Sequence, residues 1–140
     1  MVHALHEICR VLIEHGTIID LRPLTGSWPM EVISQRERRA VGSVAGVAEG
    51  VADDIAANEA MGQAESKGLL RREQEELFDF YYYWNSPGEA QEYIEEEWSD
   101  FATVGADIWK EVRGHWALAD ADARVGIRLS MLITRWKKLG

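Results

Sequence analysis

One cysteine, three prolines and no apolar run of bilayer length set the first limits on this chain. A lone thiol, Cys9, excludes an internal disulfide and suits a reducing compartment. A membrane-spanning helix takes about 20 consecutive apolar residues, so no membrane span is expected. The amino terminus also lacks the charged start and apolar centre of a signal peptide, which points to a cytoplasmic protein. Positive charge is scarce as well: 15 Lys and Arg stand against 24 Asp and Glu, a formal net charge of -9. Nucleic-acid binding through phosphates needs clustered cations, so that function class is set aside. There is no GxSxG and no HExxH, the spacings that build a serine nucleophile or a helical zinc site.

What is present is an ordinary globular composition, 46% hydrophobic and 28% charged, enough for a core in a single domain over residues 1–140. Leu5, Ile8, Cys9 and Leu12 recur at i, i+3, i+4 and i+7, one apolar stripe of a helix that ends near Glu14. Gly16 is placed to be its left-handed cap, with His15 at the carboxyl end where a cation suits the helix dipole. The following run, Thr17 to Leu21, is continuous and apolar, the pattern of a strand covered on both faces. A helix feeding such a strand directly reads as half of a parallel crossover.

Beyond Pro23 the chain changes character. Gly26, Ser27 and Pro29 mark a turn, Met30 to Ser34 an extended piece, and Gln35 to Arg39 (QRERR) a polar turn between two short strands. Gly42, Gly46 and Gly50 are spaced without a preceding buried strand, which fits close packing or a turn. Val47 to Ser66 reads as a helix with a thin apolar edge at Val51, Ile55 and Met61. Leu69 to Trp84 is the clearest strand: Phe78, Phe80, Tyr82 and Trp84 alternate with Leu77, Asp79, Tyr81 and Tyr83, so both faces are expected to be covered. Ser86, Pro87 and Glu89 spell a helix start with a capping box. A further helix spans Gly105 to Asp120 with Ile108, Trp109, Val112 and Trp116 inward. Arg124 to Lys137 alternates as a long final strand.

The segment ALHEICRVLIEHGTIIDLRPL, residues 4–24, resembles class I S-adenosylmethionine-dependent methyltransferases from the helix before the fifth strand through that strand, where ALxExxRVLxxGGxLIDLRP is a recurrent form. The remaining elements follow in the family's order. The resemblance implies an α/β fold corresponding to the carboxyl-terminal half of that domain: a truncated mixed sheet of about three main strands in the order five, seven, six, flanking helices, and a small hairpin insertion within residues 22–68 that is lid-like. Thr17 to Leu21 would lie beside Val125 to Trp136, and that beside Leu77 to Trp84. The family's Gly-rich cofactor turn and ribose-binding carboxylate have no counterpart here, so no cofactor, catalytic or metal residues are assigned.

In that arrangement one edge of Thr17 to Leu21 is unpaired, an aggregation hazard that association removes. The chain is therefore expected to be a non-catalytic homodimeric interaction module, with Leu5, Ile8, Leu12, Ile18 and Ile19 as candidate interface residues. Two alternatives stand beside it. A partner chain could complete the sheet as the other subunit of a split methyltransferase, or Phe80, Tyr82, Trp84 and Trp109 could line a small-molecule pocket. The six tryptophans fit a core or an interface equally in kind. His3, His6 and Glu7 lack a third ligand, and Asp53, Asp54 and the Glu95 to Glu97 run read as solvated helix surface.

Overall fold

Fifteen extended residues make β5 (Arg124–Lys138) the strand to which three of the others attach. The computed structural model describes the backbone of residues 2–140 and the side chains of all of these except Val2, Ala48 and Glu49. Strand β1 (Thr17–Pro23) pairs antiparallel with the end of β5, from Thr17 opposite Lys137 to Pro23 opposite Met131. Strand β2 (Pro29–Ile33) pairs antiparallel with its beginning, Met30 opposite Ile127 and Ile33 opposite Arg124. Strand β3 (Arg38–Ser43) forms a hairpin with β2, and β4 (Leu70–Trp84) also pairs with β5. The sheet thus has five strands rather than three, and its pairings are antiparallel rather than mixed. The hairpin expected as a separate insertion joins the sheet because β2 finds unpaired backbone groups on β5. For the same reason β1 is not half of a parallel crossover: its neighbour comes from the far end of the chain.

Four α-helices complete the fold: α1 (Val2–Val11), α2 (Val51–Ser66), α3 (Pro87–Glu97) and α4 (Ala106–Leu118), with one 3-10 turn at Val47–Gly50. The elements gather into two compact units, one of residues 2–24, 50–78 and 131–140, the other of Thr25–Glu49 and Asp79–Ser130.

In the first unit, Leu5, Ala60, Met61, Ala64, Leu70 and Trp136 form the core, with Cys9 and Ile18 packed against it. Helix α2 turns a different face inward than its larger apolar residues suggest. Ala57, Ala60, Met61 and Ala64 are buried, while Val51 and Ile55 are exposed. Ile55 and Ala57 lie about 200° apart around the helix axis, so only one of the two stripes can face the core. Helix α1 ends at Val11, a turn before Glu14. His15, not Gly16, takes the left-handed conformation, at φ 58°, and it lies four residues past the helix end rather than at its cap. Gly16 is required for space: a Cβ there would stand 2.5 Å from Leu12 Cγ and 2.9 Å from the Ile13 carbonyl oxygen.

Strand β1 is covered on one face only, with Ile18, Asp20 and Arg22 half-buried and Ile19 and Leu21 exposed. Strand β4 is also less covered than expected. Arg71 to Phe80 are exposed, as the run of Arg and Glu that fills this half of the strand favours water.

In the second unit, Met30, Val112, Val125 and Ile127 are fully buried. Ser86 caps α3 by accepting from the Glu89 N–H at 3.2 Å, with Pro87 as the first helical residue. The Glu89 carboxylate reaches back to the N–H of Asn85 at 3.0 Å, one residue before the usual capping-box partner. Helix α4 buries Trp109 and Val112, while Trp116, expected inward, is 36% exposed near the helix end. Gly46 sits at φ +90°, where an added Cβ would be 2.7 Å from the Phe101 carbonyl oxygen, beside the Ala45–Thr103 bridge. Spaced glycine here serves a turn and close packing.

Candidate functional site

The apolar stripe of α1, the inner face of β1 and the alanine face of α2 leave a groove of about 210 Å³ between them. Leu5, Ile8, Ile18 and Ile19 border it together with Ala57 and Met61 from α2, and Asp20 and Arg22 form its polar margin. Four of the five candidate interface residues are therefore brought to one place. Leu12 is not among them: it lies beyond the end of α1 beside Gly16, and its carbonyl accepts from Lys138 Nζ at 2.7 Å. The groove adjoins the strand that ends the sheet, whose only pairing among the described residues is with β5. On the same strand Ile19 is 55% and Leu21 53% exposed, large apolar side chains on a strand edge.

Asp20 and Arg22 share the inner face of β1 because they are two residues apart in a strand. They pair at 3.0 Å, and the same Arg22 Nη2 donates to Asn58 Oδ1 of α2 at 2.9 Å. This pair is a feature that apolar patterning passes over. Its trace in the sequence is the placing of two charged residues on the same side as Ile18.

A second cavity in this unit, of about 410 Å³, lies beneath α2. Arg22, Asn58, Met61, Arg72, Leu132 and Trp136 are among the residues that border it. Arg72 is held by Glu75 at 3.3 Å, and its guanidinium stands 5.8 Å from the centre of the Trp136 ring. Glu75 in turn accepts from Thr134 Oγ1 at 3.3 Å.

In the second unit, Phe80, Tyr82 and Trp84 of the candidate aromatic pocket meet as rings in succession: Phe80 is edge-on to Tyr82 at 5.3 Å, and Tyr82 stacks on Trp84 at 6.0 Å. Tyr93, Trp98, Phe101 and Trp28 extend the cluster. These rings occupy the space among them with one another. Trp109 stands apart, buried beside Ile94 and Ala102 with Arg113 over its ring at 5.8 Å.

The QRERR turn borders a polar cleft of about 290 Å³ with His115 and Asp120. Arg39 Nη1 lies 3.1 Å from His115 Nδ1. The other ring nitrogen, Nε2, faces Glu111 at 3.6 Å. Glu37 pairs with Arg39 at 3.4 Å and Glu31 with Arg38 at 3.2 Å, so two of the three arginines of this turn are matched by carboxylates.

A buried charge lies elsewhere in the unit. Glu31 of β2, 4% exposed, pairs with Arg38 at 3.2 Å and Arg128 at 3.7 Å, and Arg128 reaches Asp79 at 3.7 Å. Burial works against the Arg38 charge, but Tyr81, Glu31 and a hydrogen bond with Tyr83 outweigh it and hold the Arg38 pKa above its ordinary value. The arrangement braces β2 against its neighbours. Among the described residues no cluster of three His, Cys, Asp or Glu is placed to hold a metal ion, and no helix is long and apolar enough to cross a membrane.

No family model, no curated protein and no solved structure matches this chain.

Proposed function

We propose that this chain is a non-catalytic, methyltransferase-like interaction module that works as a homodimer joined through β1. The observation that carries the reading is the edge of β1: seven residues whose only pairing among those described is with β5, with Ile19 and Leu21 exposed beside an apolar groove. The pairing of β5 with both β1 and β4 supports the resemblance, because in the family's order the seventh strand lies between the fifth and sixth; the further pairing of β5 with β2 is not part of that order.

A second copy suits this edge by its charges. If two β1 strands meet antiparallel with Leu21 on the twofold axis, each Asp20 faces the other copy's Arg22 and each Ile19 faces its Pro23. Opposed residues in such a pair have Cα atoms ~4.5–5.5 Å apart, within the ~4.4–6.8 Å that a disulfide spans. In a Cys9→Ala background, Leu21→Cys is therefore expected to cross-link the dimer under mild oxidation. Leu21→Lys is expected to give a monomer in sedimentation velocity. A native chain that sediments as a monomer at all concentrations, or a Leu21→Cys variant that stays uncoupled, would remove this reading. Titration calorimetry with S-adenosylmethionine checks the remainder: no saturable heat is expected, and saturable heat would replace the module with a methyltransferase subunit.

A further inference from the structure

The cavity beneath α2 holds two polar side chains with unmatched hydrogen-bond donors. Trp136 is 4% exposed, and no described residue accepts from its Nε1–H. The same is true of Arg22 Nε and Nη1, because Asp20 and Asn58 both engage Nη2. Native structures rarely leave buried donors without partners, and a donor shut away from water costs free energy until it finds an acceptor. Both side chains border one space of about 410 Å³, within the range of small-molecule sites. Met61, Leu77 and Leu132 supply its apolar wall.

The charges decide what kind of acceptor fits. Arg22 and Arg72 border the cavity, as do Glu65 and Glu75, so its own charges already balance. Asp20 compensates Arg22 directly at 3.0 Å. An anionic guest would bring a further negative charge beside these carboxylates and lose its hydration in doing so. A neutral carbonyl oxygen accepts from the indole or guanidinium N–H without that cost.

We propose that this cavity is a binding site for a small neutral carbonyl compound of the amide or lactam class, its oxygen accepting from Trp136 and Arg22 and its apolar body lying against Met61 and Leu132. The donor atoms are closed over by neighbouring protein atoms, so binding includes a small turn of these side chains, a common adjustment at binding sites. Arg22 belongs to β1, but the donors invoked here are its Nε and Nη1, and the test reads ligand binding rather than oligomeric state.

The probe is caprolactam, added to the full-length chain labelled with ¹⁵N and followed by the tryptophan indole N–H signals. Trp136→Phe identifies the signal of interest. A saturable shift of that signal is expected, with a dissociation constant on the order of millimolar for a guest this small. Arg22→Lys is expected to weaken binding by about tenfold, the effect of losing a hydrogen bond from a charged donor. Gly62→Leu offers a second variant that preserves folding: a Cβ at Gly62 meets nothing within 4 Å, and the residue borders the cavity. It is expected to abolish the shift by filling the space. Cyclohexylammonium, which donates but does not accept, is expected to leave the signal unmoved. The proposal is overturned if caprolactam gives no saturable shift, if cyclohexylammonium gives the same one, or if cyclohexanecarboxylate binds more tightly than caprolactam.

Discussion

Glu31 shows what a single residue does in this fold. Its carboxylate is almost wholly buried, yet it lies between Arg38 and Arg128, so the cost of desolvation is offset by two ion pairs. Removing it leaves two arginines without that partner. Both guanidinium groups keep some water, at 45% and 39% exposure, which lowers the loss below that of a fully buried pair. Glu31→Ala is expected to destabilise the protein by about 1–3 kcal/mol, read as a lower urea midpoint at an unchanged slope. Glu31→Gln, which keeps an acceptor for Arg38, is expected to cost less. The sequence marks Glu31 as polar in a short strand between Met30 and Val32 and gives no sign of its burial. Its partners lie seven and ninety-seven positions away, and only the folded chain brings them near.

At the scale of the element, signals contained within a few residues were the most legible. The Ser86-Pro87-Gly88-Glu89 start was readable because a cap involves groups three positions apart, and the Ser86 hydroxyl does accept from the Glu89 N–H. Ser86→Ala is expected to cost about 1 kcal/mol, measured by thermal unfolding followed at the far-ultraviolet helix signal. The existence of β5 was legible for the same reason, but not its buried face, which passes from Val125, Ile127 and Leu129 to Leu132, Thr134 and Trp136 along the strand. The face presented by α2 was not. Val51 and Ile55 have greater hydrophobic bulk than Ala57, Ala60 and Ala64, but the core accepts the helix along its small residues, where it can approach closely. Helix α1 ends a turn earlier than its apolar periodicity predicts, and the tight bend is made by His15 and by the space that Leu12 demands beside Gly16.

At the scale of the whole molecule, the proposed dimer makes stability depend on concentration. An association that exists only in the folded state is expected to raise the melting temperature by roughly 2–4 °C per tenfold increase in protein concentration, measured by scanning calorimetry. Leu21→Lys is expected to abolish that dependence. Leu5 and Ile8, marked by helical periodicity, and Ile18 and Ile19, marked by the apolar run of β1, border one groove. The cavity with Arg22 and Trp136 was not legible, because its walls come from four separated stretches of chain. By itself, the sequence determined the α/β character, the long strands β4 and β5 and the cap of α3, since those depend on periodicity and on hydrogen bonds between near neighbours. Only the tertiary structure decided that β2 and β3 join the same antiparallel sheet, which face of α2 is buried, and which donors are left without acceptors. Those outcomes depend on pairing and exclusion of water between residues far apart in the chain, and no local pattern records them.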